Sequence, residues 1–269
     1  MLDGFMVYLL FFTRIPIKYE FKDFEKTFKN SIWFLPIFGL IYGGLLGIIF
    51  GLSLFLLKSL EISVVILIVM DAMISGALHF DGLADTADGL FSGRSPERMK
   101  EIMRDSRIGS FGTVALISYV MLFFFALKEL LTQLFMPNAI VQLGNIIPAA
   151  IYVAGIYMVS KAGMAFMHWN YKYANEQGQG KISENIPKYQ IIISQVLSLV
   201  IMPLIFSWKA IVAYLITCLV LYGYKLFVHK KINGMTGDTL GATCQIVNVV
   251  FVLALLIINN VINYIHLIL

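Results

Sequence analysis

Charge is what this sequence has least of. Asp, Glu, Lys and Arg make up 13% of the 269 residues, where a soluble domain carries about 25%. Apolar residues reach 59% against a usual share of about 45–50%, so the solvent that fits the chain is lipid. No polar stretch is long enough to fold separately, and one integral membrane catalytic domain over residues 1–269 is expected. Cysteine is nearly absent. Cys218 and Cys244 lie in or beside apolar runs, so they make neither a disulfide framework nor a metal spacing and read as small packing residues. The net charge of +4 is too mild to suggest nucleic acid. No cleavable leader is visible, since no basic segment precedes the apolar residues 4–12 and no small-residue cleavage site follows them. Those residues fall short of the roughly 20 a spanning helix needs, and a surface-lying or re-entrant segment is expected. Transporter-type repeats and low-complexity tracts are also lacking.

Long uncharged runs are what the sequence has instead. Seven spans are expected: Ser31–Leu57, Ile62–Phe80, Ile108–Leu127, a span after a turn at Pro137-Asn138 within Leu130–Ser160, Tyr189–Trp208, Ala210–Val228, and one within Thr239–Leu269. Backbone in lipid must satisfy itself, and continuous runs of this length mean helices rather than alternating barrel strands. The fold class is therefore an all-α, polytopic transmembrane helical bundle of about seven spans, with loop helices on its cytoplasmic side. Alternating the loops from one side to the other leaves only Lys58, Lys128 and Lys209, of 20 basic residues, on the far side. Lys161 counts here as part of a basic-side loop, and Lys225 as a snorkelling residue. By the positive-inside rule the basic loops are cytoplasmic and the C-terminus external, in a multi-pass protein of the cell membrane. Gly39, Gly43, Gly47 and Gly51 recur every fourth position, the spacing of close helix packing in lipid.

Four polar segments fall on the basic side. Between His79 and Gly89 three aspartates, Asp81, Asp85 and Asp88, stand at i, i+4 and i+7, one face of a helix. Three like charges on one face are tolerated when a cation sits among them, and hard oxygen donors suit magnesium or manganese rather than zinc. His79 reads as a ligand, a general base or a capping group. Farther on, Ser95-Pro96 is a helix start, with an amphipathic helix expected from Glu97 to Arg107. Arg104 and Arg107 would grip a diphosphate, Asp105 would ligate a metal or orient an arginine, and Gly109 and Gly112 would let backbone amides approach a phosphate. Near the last span, Thr236, Gly237, Asp238 and Thr239 form a Gly-Asp-Thr turn beside a helix N-terminus, suited to phosphate or metal-phosphate contact. Thr13-Arg14-Ile15-Pro16 adds Arg14 as a phosphate contact or an interfacial anchor. A polar loop follows Lys161 and contains Gly178-Gln179-Gly180. Asp71, in mid-span, is costly unless paired or hydrated and has no evident role. There is no Gly-x-Ser-x-Gly elbow, His-Glu-x-x-His, Cys-x-x-Cys or P-loop.

These motifs resemble the cobalamin synthase family, the adenosylcobinamide-GDP ribazoletransferases. The resemblance is carried by Phe12-Thr13-Arg14-Ile15-Pro16, by His79 to Gly89, by Arg98 to Gly112 and by Thr236 to Ala242, in order across nearly the whole chain. It implies a magnesium-dependent membrane phosphotransferase acting on adenosylcobinamide-GDP and alpha-ribazole or its phosphate, with a ribose hydroxyl attacking the cobinamide-side phosphorus and GMP leaving. Applying that chemistry to the residues, Asp81, Asp85 and Asp88 hold the metal. Arg104, Asp105, Arg107 and Asp238 hold the diphosphate and the metal shell, and His79 or Asp88 is the base. Lys161 stands where the family pattern often has arginine. Two other readings compete. A CDP-alcohol phosphotransferase also pairs an aspartate cluster with loss of a nucleoside monophosphate, but its Asp-Gly pattern continues with Ala-Arg, whereas Asp85 follows Ala84 here. A transporter would place charges at mid-membrane, where only Asp71 lies. The number of assembled chains, a homo-oligomer included, is left open. Exchange of Asp85 for Asn should abolish turnover without unfolding the protein; full activity in that variant would exclude the metal role.

Overall fold

The computed structural model describes residues 2–136, 141–174 and 179–268. The expected turn at Pro137-Asn138, Gly178 of the polar loop, and Leu269 at the end of the last run lie outside the described residues. Eleven α-helices are present among those described, and no strand beyond one isolated bridge between Tyr173 and Met235. The helices are α1 (Leu2–Phe12), α2 (Phe24–Asn30), α3 (Leu35–Leu57), α4 (Leu60–Ser75), α5 (Leu78–Leu90), α6 (Pro96–Ile102), α7 (Ser110–Phe135), α8 (Leu143–Met167), α9 (Lys188–Phe206), α10 (Lys209–Ile232) and α11 (Gly237–Ile268). Short 3-10 turns occupy Ile32–Phe34 and Gln179–Ser183. Among the described residues six helices are long and apolar enough to cross a membrane, and α4 with α5 forms a bent pair, a broken span or a re-entrant loop, that brings the number to seven if it counts as one span. The chain is an all-α polytopic membrane protein, as its composition requires.

Three expected boundaries change. The second span is not straight to Phe80: it breaks after Ser75, and α5 leaves at 90° to α4. Gly76 and Ala77 both adopt the left-handed region, at φ 62 and 57. Gly76 N–H donates to the Met73 carbonyl at 3.2 Å and Ala77 N–H to that of Ala72 at 2.7 Å, the Schellman arrangement that closes a helix. The third span runs past Leu127 to Phe135, which puts Lys128 in its last turns, where it pairs with Glu61 at 3.0 Å. The fourth runs to Met167, so Lys161 is not in a loop but within α8, 2% exposed. Lys225 does reach outward, donating to the carbonyls of Met167 and Trp169.

The centre of the bundle is α3 against α8. A β-carbon at Gly39, Gly43 or Gly47 would stand 2.6, 2.6 and 2.5 Å from the backbone oxygens of Tyr157, Ala154 and Ala150, so glycine at these positions is what allows the two backbones to touch. α1 has 11 residues, too short to cross, and packs Tyr8 inward with its hydroxyl donating to the Phe28 carbonyl at 3.2 Å. The polar segments singled out above follow the end of α1, open α5, surround α6 and open α11, so they gather at one end of the bundle. Replacing Gly47 by Val should force α3 from α8 and lower stability by about 1–3 kcal/mol, the cost of overpacking a filled core. Thermal unfolding in detergent would read this, and an unchanged midpoint would contradict the close approach.

Candidate functional site

α5 is amphipathic and short, and the break before it lays it across the start of α11. Gly82 makes this contact: a β-carbon there would lie 2.8 Å from the Asp238 carbonyl oxygen. The contact brings two acidic segments together, over 150 residues apart in sequence. The charges of Asp81, Asp88 and Asp238 all act on Asp85, and Asp81 acts on Asp238. Among the described residues, the carboxylates of Asp81 and Asp85 take part in no hydrogen bond or ion pair. Thr236 caps α11 in a reciprocal pair with Thr239: Thr239 Oγ1 accepts from Thr236 N–H at 2.8 Å, and Thr236 Oγ1 accepts from Thr239 N–H at 3.2 Å. That cap is a hydrogen-bonded helix start, and it leaves Gly237 and Asp238 at the positive end of a long helix dipole.

A cavity of about 220 Å³ opens between these elements. His79, Asp81, Lys100, Arg104, His168, Thr236, Gly237 and Asp238 line it, with Phe12, Phe28 and Met164 among its apolar walls. A wider groove of about 1010 Å³ adjoins it, sharing Phe11, Leu78 and Ile182 and lined also by Arg14 and Lys29. Loop segments fasten the rim. Met235 bonds to the loop by both backbone groups, its carbonyl accepting from Ala174 N–H and its N–H donating to the Lys172 carbonyl, both at 2.8 Å. Lys100 Nζ donates to the Ala174 carbonyl at 3.2 Å.

Other proposed site residues stand elsewhere. Ser95 caps α6 as expected, accepting from Arg98 N–H at 3.4 Å, but α6 ends at Ile102 instead of continuing to Arg107. Arg104 and Arg107 therefore do not share a helix face. Arg107 pairs at the surface with Asp105, Nη2 to Oδ2 at 2.6 Å, and its hydrogen bonds hold the Asp105 carboxyl down at about 2. Neither lines the cavity. Arg14 lies at the helix break, donating its N–H to the Ile74 carbonyl at 2.8 Å with its side chain against Gly76, and lines the wider groove. Asp88 has turned from the cavity to α7: its carboxylate accepts the Gly109 N–H at 2.7 Å and the Gly112 N–H at 2.8 Å. Gly109 thus gives its amide to protein rather than to an open anion site. A carboxylate at the positive end of a 26-residue helix is a favourable placement.

His168 was not marked by the sequence. His168 caps α8, is 3% exposed and lines the cavity; burial pushes its imidazole down to about 4. The signal available was a histidine at the motif-side end of an uncharged run.

The donor chemistry fits a divalent cation of one kind. Asp81, Asp85 and Asp238 are hard, mutually repelling carboxylates, yet among the described residues no three acidic, histidine or cysteine side chains converge into a ready ligand set. This suits an ion held by one or two carboxylates and completed by substrate phosphate, the usual habit of magnesium.

A model of the family described as cobalamin-5-phosphate synthase matches residues 4–256. The chain belongs to this family. Among its relatives, the adenosylcobinamide-GDP ribazoletransferase of Clostridium novyi (strain NT) is 36% identical over 258 residues, covering 95% of this chain and 97% of that one. The protein of the same name from Listeria monocytogenes serovar 1/2a is 37% identical, covering 87% and 90% of the two chains; that from Listeria welshimeri serovar 6b is 38% identical, covering 92% and 95%. No solved structure matches. Membership of the cobalamin-5-phosphate synthase family disfavours both the CDP-alcohol phosphotransferase and the transporter readings.

The Asp88 clasp predicts a shared fate for two substitutions. Asp88→Ala leaves two amides at the α7 start unbonded, and Gly112→Ala puts a β-carbon 2.4 Å from Asp88 Oδ2. Each should cost about 1–3 kcal/mol of stability, and the double variant should cost little more than either alone. Additive losses in thermal unfolding would show that the two do not act through one contact.

Proposed function

We propose that this chain transfers the cobinamide phosphate of adenosylcobinamide-GDP to alpha-ribazole or its 5′-phosphate, releasing GMP. The observation that carries the reading, beside family membership, is the cavity where carboxylates of α5 and α11 meet Arg104 and Lys100. Acids and bases on facing walls suit a diphosphate that must be held and neutralised together.

In this reading Arg104 binds phosphate oxygens through its planar fork, and Lys100 adds a second positive charge. The positive end of α11 at Gly237 favours the same anion. Asp81 and Asp238, with the phosphates themselves, would hold magnesium, which would supply neutralisation of the charge that develops on the diphosphate, and Asp85 adds its charge beside them. The acceptor's ribose hydroxyl forms the new bond to the cobinamide-side phosphorus. The bond from that phosphorus to the oxygen of GMP breaks, GMP keeps the electron pair, and the hydroxyl proton passes to solvent. The apolar walls limit water, which would otherwise compete as nucleophile. The wider groove is the place for the bulk of the corrinoid, too large for a cavity of about 220 Å³. The uneven division of basic residues supports a cytoplasmic position for this end of the bundle and an external C-terminus.

Purified protein given adenosylcobinamide-GDP, alpha-ribazole and magnesium should release GMP with a cobalamin product, and chelator should stop both. Release of GMP unaffected by chelator would remove the metal from the reading. No release by protein whose fold is verified would remove the reaction.

A further inference from the structure

Two imidazoles line the cavity, and each is held by one nitrogen only. In His168, Nδ1 lies 2.9 Å from the Met164 carbonyl oxygen. A carbonyl only accepts, so Nδ1 carries the hydrogen and Nε2 presents a lone pair. That Nε2 is buried and has no hydrogen-bond partner among the described residues. In His79 the held nitrogen is the other one: Nε2 lies 2.5 Å from Lys161 Nζ.

The surroundings of Lys161 decide who donates there. Besides His79, its nitrogen meets the face of the Phe12 ring, 4.1 Å from the centroid, and Cys244 Sγ at 3.5 Å. The ring face and the sulfur both accept from a nitrogen donor. The charge of the buried Asp71 acts on Lys161, and Asp71 is itself fixed by the Tyr42 hydroxyl, which donates to Oδ1 at 2.7 Å. The lysine nitrogen is therefore the donor to Nε2, and the hydrogen of His79 sits on Nδ1. This Nδ1 is also buried and has no partner among the described residues. Both rings are in the same Nδ1–H form, but they keep opposite ends free.

We infer that the cavity has a built-in hydrogen-bond polarity, in which His79 presents an N–H donor to a phosphate oxygen of the nucleotide-activated substrate and His168 presents an acceptor to the attacking hydroxyl. The inference rests on the transferase reading above and deepens it. The two substrates are told apart by what they lack. A phosphate oxygen cannot donate to His168, and a hydroxyl placed at His79 would leave the His168 acceptor unpaired; an unpaired buried polar group is penalised. Lys161 and Asp71 touch neither substrate in this arrangement. They are positioning residues that fix which nitrogen of His79 is protonated, and this gives the mid-span acid a role.

The chain has four histidines, few enough to resolve by 15N NMR of the full protein labelled at histidine. Both His79 and His168 should appear as Nδ1–H rings, and Lys161→Met should move His79 toward the Nε2–H form while leaving His168 alone. A wild-type His79 in the Nε2–H form would overturn the inference. Kinetics give a second reading, because an asparagine amide reaches the Nδ1 position and a glutamine amide the Nε2 position. His79→Asn should keep kcat within about tenfold, whereas His79→Gln should lose roughly 100-fold, the loss expected for an aimed donor. At His168 the preference should reverse, with Gln keeping the KM for ribazole and Asn raising it about tenfold. Equal losses for Asn and Gln at both sites would overturn the polarity. Should one variant fail to fold, the other histidine's pair and the wild-type spectrum still decide. Wild-type protein that releases no GMP would count against the transferase reading itself, which separates that failure from this one.

Discussion

The break between α4 and α5 is the constraint on which the site depends. A helix crossing lipid satisfies its own backbone, and it can stop at membrane depth only where protein receives the freed groups. Here the Schellman bonds of Gly76 and Ala77 close α4, and Arg14 packs on the turn. Freed from α4, α5 lies across α11, and Gly82 sets how closely the two approach. An unbroken helix through Phe80 would carry Asp81, Asp85 and Asp88 straight on from the bundle, away from Asp238.

The charges then divide into two kinds. Some are answered by protein: Asp88 by the amides of α7, Asp105 by Arg107, Asp71 by Tyr42 and Lys161. Others, Asp81 and Asp85 the clearest, have no hydrogen-bond or ion-pair partner among the described residues. Crowding charges without a partner is costly, and the metal-diphosphate unit proposed above would relieve it.

Much of this was legible in the sequence. Uncharged runs gave the spans because lipid tolerates little else, and the spacing of Asp81, Asp85 and Asp88 gave a shared helix face. Ser95-Pro96 marked a helix start through local capping chemistry, and the Gly-Asp-Thr turn fell beside another. What could not be read depended on contacts between distant segments. Asp88 looks like its two neighbours in the motif, and only the fold shows that Gly109 and Gly112 claim it. Lys161 looks like a loop residue after an apolar run, yet α8 continues through it because Asp71, Phe12 and His79 wait inside the bundle. His168 carries no motif, and only the fold places it in the cavity wall.

The central claim is that acids from α5 and α11 hold one metal-diphosphate unit between them. Pulsed electron paramagnetic resonance with manganese replacing magnesium tests it directly, using full-length protein and adenosylcobinamide-GDP. The account predicts hyperfine coupling of the bound manganese to substrate phosphorus, lost when either Asp81 or Asp238 is replaced by Ala. Coupling that survives both replacements, or manganese bound with no phosphorus nearby, would contradict it.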